Sequence, residues 1–284
     1  MKNTPRIAFV SGANRGIGLA LVRALSRELP EGSAVYLGCR RLADGRRAAE
    51  ALAAEGLEAT PIRFDLVERA THEALAAHLR EAHGGIDILV LNGAVAASPD
   101  RPNTEQVRPM ITANNHGNHA ALETLTPLLR QNARVLVVAS GLGTLASLPE
   151  LVRDRFADPH ATPEAIAAVM DDYVTSVETG QDGAEGWPEW INLPSKVGQV
   201  ASLRAFVRRF DAAPDRPTGV LVNAVCPGWT DTEAARPYLA AMPDVDAQSP
   251  DEAAVDLLWL ATRPPGTAAP HGELVQHRRV LPFA

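Results

Sequence analysis

The chain has 284 residues, of which 46% are apolar, and a net charge of −7. The apolar content is enough for a sizeable core, and the negative charge argues against nucleic acid or an anionic membrane surface as a partner. The sequence shows no signal-peptide pattern and no apolar run long enough to span a bilayer, and its two cysteines lie in apolar runs. We therefore predict a cytoplasmic protein with buried free thiols and no membrane or metal partner.

Apolar strand-like runs alternate with runs of helical periodicity. Most of the strand-like runs lack polar alternation, which is typical of parallel strands covered on both faces. The predicted strands span residues 7–10, 34–37, 62–64, 86–91, 134–139, 220–225 and 273–276. The predicted helices span residues 19–29, 46–55, 70–83, 106–129 and 196–210. This alternation predicts an α/β fold, a single doubly wound Rossmann domain with a parallel sheet of about seven strands.

One segment of about fifty residues, between Ser140 and Asn192, interrupts the alternation and carries no strand pattern. Thr162 followed by Pro163 is a typical helix start, and residues 165–177 then show helical periodicity. An insertion of this size inside a compact domain is usually functional or disordered. We predict that residues 141–191 form a mainly helical flap beside the active-site end of the sheet.

A glycine-rich turn follows the first predicted strand and opens the first predicted helix. Glycines let the backbone turn tightly and approach a pyrophosphate, to which the helix N-terminus offers unpaired N–H groups and the positive end of its dipole. The strand-turn-helix context favours a dinucleotide site over an ordinary tight turn. The residues predicted to bind the cofactor here are Gly12, Asn14, Arg15, Gly16, Ile17 and Gly18.

The Gly-x-x-x-Gly-x-Gly spacing of this turn resembles that of the short-chain dehydrogenase/reductase superfamily, and further motifs extend the resemblance over almost the whole chain. Residues 91–94 hold a degenerate form of the family's Asn-Asn-Ala-Gly, and residues 270–272 with the long flap resemble the monomeric carbonyl reductase branch. The further cofactor contacts that this resemblance implies are Asp65, Leu66, Asn92, Gly93, Lys196, Pro227, Gly228, Thr230 and Thr232.

The choice of cofactor is argued from charge. A site for NAD favours a carboxylate at the end of the second strand, where it accepts the ribose hydroxyls. This chain has Arg40 and Arg41 there, with Arg15 in the glycine turn. Guanidinium groups match a 2′-phosphate in charge and geometry, so we predict NADPH rather than NADH. Arg41 also fits the alternative of a solvated charge at a strand end.

The resemblance implies catalytic roles for Ser140, which would hydrogen-bond the substrate oxygen, and for Lys196, which would hold the nicotinamide ribose. It also implies that Asn114 helps to hold a water of the proton relay. The family's proton donor is a tyrosine four residues before the lysine, and the lysine lowers the pKa of its phenol. This chain has Asn192 at that position. An amide can orient and polarise a carbonyl but cannot protonate it, and asparagine is also a favoured helix N-cap.

Several groups remain as sources of the proton. Within the protein, Lys196 could act through water or the ribose, and Tyr173 or His116 could act directly, although both also fit as packing residues. A phenol beside the substrate ketone is another source, because an intramolecular donor has a high effective concentration. Two functional alternatives also stay open: reduction of a C=C bond in an enone, and a non-redox protein that binds NADPH to template a cyclisation or to sense dinucleotide.

The favoured prediction is an NADPH-dependent ketoreductase that acts on a bulky aromatic or polyketide-type ketone, with a substrate-derived or water-relayed proton. In lacking the tyrosine, the chain resembles certain ketoreductases of aromatic polyketides. Retention of Ser140, Asn114 and Lys196 argues against both non-redox alternatives, since a sensor needs no substrate-side serine. We expect a monomer, because the flap lies where oligomeric family members bury a helix interface. The predicted substrate-pocket residues are Trp187, Trp229 and Tyr173.

Overall fold

The computed structural model describes residues 4–284. Its centre is an eight-stranded sheet in the order β3-β2-β1-β4-β5-β6-β7-β8. The strands are β1 (Ile7–Val10), β2 (Ala34–Cys39), β3 (Thr60–Arg63), β4 (Ile86–Leu91), β5 (Leu129–Val138), β6 (Leu221–Val225), β7 (Leu274–Gln276) and β8 (Arg279–Leu281). The helices are α1 (Gly16–Glu28), α2 (Leu42–Ala54), α3 (Arg69–His83), α4 (Asn103–Ile111), α5 (Asn118–Leu125), α6 (Glu150–Ala157), α7 (Pro163–Glu178), α8 (Asn192–Ala212), α9 (Arg236–Leu239) and α10 (Pro250–Ala261).

The first seven strands are parallel, and each was expected from the sequence, so the predicted doubly wound sheet is confirmed. The eighth strand is antiparallel to β7 and was not predicted. It follows a tight turn at His277 and Arg278, whose φ values are +49° and +60°. Positive φ at both central residues suits a two-residue hairpin, but the usual Asn-Gly signal is missing here.

Both faces of the sheet are covered, which explains the continuous apolar runs. Phe9 of β1 contributes to a core shared with α3, α5 and α8, whereas its neighbour Val10 contributes to a core shared with α1, α2 and α10. The strand order reverses beside β1, where β1 and β4 are adjacent. In sheets of this type, a ligand crevice opens outside the carboxyl ends of the strands at such a reversal.

The predicted helix at residues 106–129 is not one regular helix. A π-helical turn, Thr112–Gly117, separates α4 from α5, and β5 already begins at Leu129. Gly117 lies so close to Leu66 that an added Cβ would be 2.5 Å from the Leu66 carbonyl oxygen. The backbone therefore approaches the loop after β3 at this turn, a tertiary contact that helical periodicity does not encode.

Helix α10 was missed, although its start carries a recognisable signal. The cap is Ser249, whose hydroxyl accepts a hydrogen bond from the Glu252 backbone N–H, and the Glu252 carboxylate accepts one from the Ser249 N–H. Pro250 occupies the first helical position. This is a complete capping box, and the apolar run after it packs on α1 in the core.

The segment at residues 141–191 contains α6 and α7, and Thr162 caps α7 through its side-chain oxygen, 3.2 Å from the Ala165 nitrogen. A third core joins α6 and α7 to α4 and α8. Within residues 4–284, no helix combines the length and apolar character needed to cross a membrane. Cys39 and Cys226 are buried and free, as predicted.

Candidate active site

A cavity of about 350 Å³ opens at the carboxyl ends of the central strands. The ends of β4, β5, β6 and β7 form its floor, and the start of α8 and the loop after β6 form its sides. Apolar and aromatic side chains dominate the walls. The polar side chains that line it are Asn92, Ser140, Asn192, Lys196, Thr230, Thr232, Tyr238 and Gln276.

The glycine turn packs directly against the loop after β4. A Cβ on Gly12 would lie 2.7 Å from the Gly93 Cα, and one on Gly18 would lie 2.6 Å from the Asn92 side-chain nitrogen. The Asn92 amide donates hydrogen bonds to the Ser11 and Gly12 carbonyls at 3.1 and 3.2 Å. The Asn92 side chain thus stabilises the conformation of the turn. These close contacts also mean that only glycine fits at positions 12 and 18.

The turn leaves the start of α1 suited to an anion. The N-cap residue Arg15 makes no side-chain cap bond, and no acidic residue lies in the first turn of α1. The first N–H groups of this helix therefore keep their hydrogen-bonding capacity and the positive end of the dipole. A Cβ on Gly16 would lie 3.5 Å from the Thr232 methyl carbon across the cleft. These residues fit the pyrophosphate of a dinucleotide.

The arginines expected at the adenosine end differ in their surroundings. Arg15 pairs with Glu233 of the loop after β6, and Arg41 pairs with Asp44 at 2.6 Å. Arg40 is exposed, and no carboxylate of residues 4–284 pairs with it. Arg40 directly follows β2, and its contact with a 2′-phosphate stays a prediction. The loop after β3 presents Asp65, whose carboxylate accepts from the Val67 N–H, and an adenine contact there stays a prediction.

Replacing Arg40 with alanine should lower the preference for NADPH over NADH by about ten- to a hundredfold, since a charge-assisted hydrogen bond is lost. Arg41→Ala is the matched control and should change the preference less, because Asp44 already engages that guanidinium. The measurement is the dissociation constant of each reduced dinucleotide by fluorescence. An Arg40→Ala protein that keeps the full preference would show that the 2′-phosphate is bound elsewhere.

Ser140 lies just beyond β5 and lines the cavity. Its hydroxyl oxygen accepts a hydrogen bond from the Leu142 N–H at 3.2 Å. This bond uses a lone pair and leaves the hydroxyl hydrogen free. Ser140 can therefore donate to a carbonyl oxygen in the cavity, as the resemblance implied.

Asn192 is the first residue of α8 and does not cap it. The N-cap position belongs to Ile191, and no side-chain cap bond is made there. The interpretation of Asn192 as the helix cap is therefore wrong. Instead its carboxamide lines the cavity and has no hydrogen-bond partner among the described residues. One helical turn later, Lys196 lines the same cavity, so the two side chains share a face of α8.

Two successive hydrogen bonds hold Lys196 at the cavity. Its ammonium donates to the Gln199 carboxamide oxygen at 3.3 Å, and Gln199 donates to the Val138 carbonyl at 3.5 Å. Desolvation by burial lowers the pKa of Lys196 to about 8, and the nearby Cys226 acts in the opposite direction. The ammonium therefore loses its proton within an accessible pH range.

This pKa predicts a pH dependence of dinucleotide binding. An anionic dinucleotide favours the protonated lysine, so binding raises the pKa of Lys196, and affinity falls as pH rises above about 8. The dissociation constant for NADPH should rise by up to about tenfold per pH unit over this window. Lys196→Arg should bind with a flat pH profile there, because guanidinium stays protonated. Parallel slopes for both proteins, measured by fluorescence titration, would assign the dependence to another group.

Asn114 is fully buried under the site and does not line the cavity. Its side-chain oxygen accepts from the Val95 N–H at 2.8 Å and its nitrogen donates to the Val95 carbonyl at 2.9 Å. Both ends of the amide are thus used to fix the loop after β4. His116 points to the flap, where it contacts Asp171 of α7 at 2.9 Å. Neither side chain can deliver a proton into the cavity in this arrangement.

Two of the predicted pocket residues lie elsewhere. Tyr173 and Trp187 are buried in the flap core with ring centroids 4.6 Å apart, and neither lines the cavity. Their placement in the pocket was wrong because an aromatic residue on a flap can face either the site or the flap's own core. Trp229 does line the cavity, together with Trp190 and Tyr238, which were missed.

Trp190 and Tyr238 form an aromatic pair at the cavity, with ring centroids 5.6 Å apart. The Tyr238 hydroxyl donates to the Ala97 carbonyl at 2.6 Å, which connects the segments after β4 and β6. The sequence signal for Trp190 was its position two residues before Asn192. Tyr238 lies in the four-residue helix α9, which is too short to show a helical pattern, and it carried no such signal.

Comparisons with known proteins agree with this geometry. Residues 6–150 match the short chain dehydrogenase family. The chain is 32% identical over 288 residues to carbonyl reductase [NADPH] 1 of Sus scrofa, covering 99% of this chain and 95% of the relative. It is also 32% identical over 284 residues to carbonyl reductase [NADPH] 3 of Rattus norvegicus, covering 99% of each.

Solved structures share the fold. Salutaridine reductase from Papaver somniferum superposes with a TM-score of 0.82 at 24% identity, covering 95% of this chain and 99% of that one. Menthone neomenthol reductase from Mentha piperita gives a TM-score of 0.77 at 23% identity, covering 96% and 99%. The sequence match over half of the chain, together with the full-length relatives, shows that this protein belongs to the short-chain dehydrogenase family.

Proposed function

We propose that this protein is an NADPH-dependent ketoreductase for a bulky aromatic ketone whose own neighbouring phenol supplies the proton. The observation that carries this proposal is the meeting of Ser140, Lys196 and the unpartnered Asn192 carboxamide in one cavity. Similarity to relatives named carbonyl reductase [NADPH] supports the cofactor and the reaction class. When bound, NADPH supplies the hydride that adds to the carbonyl carbon.

The walls of the cavity favour an aromatic substrate. Trp190, Trp229 and Tyr238 bring three aromatic rings to it, and aliphatic side chains that include Val95 and Leu142 surround them. Offset and edge-to-face contacts with such rings stabilise a flat polycyclic molecule beyond its buried area. The volume of about 350 Å³ lies in the range of small-molecule sites.

Of the ionisable groups at this site, we assign Lys196 to the nicotinamide ribose, and the others are poor proton donors. Among the described residues that line the cavity, the ionisable side chains are Lys196, Cys226 and Tyr238. Burial raises the pKa of both Cys226 and Tyr238, which makes them weaker acids, and the Tyr238 proton is committed to the Ala97 carbonyl. Burial also raises the pKa of Tyr173 in the flap core.

A phenol beside the ketone resolves this difficulty. Hydride adds to the carbonyl carbon, the C=O π electrons move to oxygen, and the phenol gives its proton to that oxygen. The phenolate that remains recovers a proton from water. Ser140 donates a hydrogen bond to the developing alkoxide, and Asn192 can donate a second one, so both stabilise charge without being deprotonated.

The arrangement of the flap supports a monomer. Helix α7 packs on α4 and α8 through buried residues that include Met170 and Val174. This apolar face is therefore covered by the chain itself, which leaves less of it for a second copy. We propose that the protein acts as a monomer, and sedimentation velocity at micromolar concentration tests this directly.

The first experiment is stopped-flow loss of NADPH absorbance with a panel of phenolic ketones, simple ketones and enones. Turnover of phenolic ketones supports the proposal. Turnover of enones alone would replace it with reduction of a conjugated C=C bond. Tight NADPH binding with no oxidation by any member of the panel would instead favour a templating or sensing protein.

A further inference from the structure

A second carboxamide in the cavity, besides that of Asn192, is unpaired. Gln276 lines the cavity, and its side chain makes no hydrogen bond with any residue between 4 and 284. The other glutamines that are not fully exposed are all engaged: Gln106 with the loop after β4, Gln199 with Lys196 and Gln248 with the Pro227 carbonyl. Gln276 is thus the exception among them.

The backbone holds Gln276 in a fixed place beside the reaction site. It ends β7, directly after Val275, which pairs with Val225 of β6, which in turn pairs with Val138 of β5. The hairpin with β8 pairs Gln276 with Arg279. A ligand that meets this side chain therefore meets a preorganised strand rather than a mobile loop.

Two glycines leave space around the amide. A Cβ on Gly141, the residue after Ser140, would lie 3.3 Å from the Gln276 side-chain oxygen, and one on Gly228 would lie 4.0 Å from its nitrogen. The carboxamide therefore lies over the floor between the ends of β5 and β6. The absence of side chains at positions 141 and 228 keeps its polar atoms accessible from the cavity.

We propose that Gln276 is a specificity-determining residue that hydrogen-bonds a second oxygen of the substrate, on a ring other than the one that carries the reacting ketone. Ser140 follows β5 and Gln276 ends β7, two strands away, which separates their backbones by about 10 Å of sheet. The Gln276 amide oxygen reaches toward Gly141, the residue after Ser140, so a fused multi-ring ketone with a second oxygen on another ring can contact both side chains. The amide offers a donor and an acceptor, so a neutral hydroxyl suits it better than an anion.

This inference rests on the proposed function, so its test uses binding rather than turnover. The probes are three tricyclic ketones with a phenol peri to the carbonyl, which carry on the far ring a hydroxyl, the methyl ether of that hydroxyl, or no oxygen. Binding to the NADP⁺ complex is followed by quenching of Trp190 and Trp229, which line the cavity. The variants are Gln276→Leu and Gln276→Glu, with Gln131→Leu as a control at an exposed position.

We expect Gln276→Leu to weaken binding of the hydroxylated ketone about tenfold and to leave binding of the ketone without a far-ring oxygen almost unchanged. Gln276→Glu keeps an acceptor and should retain binding of the hydroxylated ketone but not of its methyl ether. Gln131→Leu should match the parent protein. Equal effects of Gln276→Leu on these two ketones would overturn the inference, because they would indicate a role in cavity shape. If none of the ketones is reduced but Gln276→Leu still weakens binding of the hydroxylated ketone alone, the proposed reaction is contradicted and the inference about Gln276 stands.

Discussion

Methylating the phenol of a peri-hydroxytetralone should lower kcat/KM with NADPH by about a hundredfold or more. General acid catalysis by a positioned group contributes roughly 10²–10⁴-fold, and the ether keeps the ketone while removing the acid. The loss should appear mainly in kcat, because the ether still enters the cavity and still receives the hydrogen bond from Ser140. Stopped-flow absorbance of NADPH separates the two parameters.

The reason for so large an effect is the shortage of acids in the protein. The proton of Tyr238 is donated to the Ala97 carbonyl, and Lys196, whose pKa burial lowers, is assigned to the nicotinamide ribose rather than to the substrate. A phenol on the substrate is already hydrogen-bonded to the ketone oxygen, so no diffusion or reorientation precedes the transfer. The phenolate product is also delocalised, which makes the phenol a better donor than an aliphatic alcohol.

Two controls separate this explanation from steric or protein effects. Unsubstituted tetralone has no methyl group to clash and should be as poor a substrate as the ether. Tyr238→Phe should still reduce the phenolic ketone at close to the parent rate. Rapid reduction of unsubstituted tetralone that disappears in Tyr238→Phe would identify Tyr238 as the acid and contradict substrate-derived protonation.

The sheet and the glycine turn could be predicted because their causes are local. Strands buried on both faces, such as β1, are uninterrupted apolar runs, and the turn at Gly12 needs glycine for a positive φ of 61°. The N-terminal signal of α7 was equally local, since Thr162 caps the helix that Pro163 opens. Each of these features depends on residues close together in the chain.

The walls of the site could not be predicted in the same way. Whether Tyr173 or Trp190 faces the cavity depends on how the flap packs on α4 and α8, which is a long-range property. Gln276 reaches the site only because β7 lies two strands from β5 in the sheet. Asn192 is another example. Asparagine is a favoured helix cap, but Asn192 is already the first residue of α8, so the cap position falls on Ile191.

Replacing Asn192 with tyrosine should give the protein activity on simple ketones that have no neighbouring phenol. Asn192 is the first residue of α8, and Lys196 lies one turn later on the same face. A phenol at position 192 would therefore lie beside an ammonium group, which lowers the pKa of the phenol and makes it a useful acid near neutral pH. We expect kcat/KM for cyclohexanone to rise by about a hundredfold or more.

Asn192→Phe is the matched control, because it adds the same ring without the hydroxyl and should give no gain. The new activity should also require Ser140, so the double variant with Ser140→Ala should lose most of it. Both variants must bind NADPH like the parent, which fluorescence titration checks. If Asn192→Tyr binds NADPH normally and still leaves cyclohexanone untouched, the tyrosine hydroxyl does not reach the carbonyl oxygen held by Ser140. The geometry of the cavity would then differ from the one that the family resemblance implies. Asn192 would be one of several residues that adapt the site to a different substrate, and the loss of the tyrosine would not be an isolated substitution.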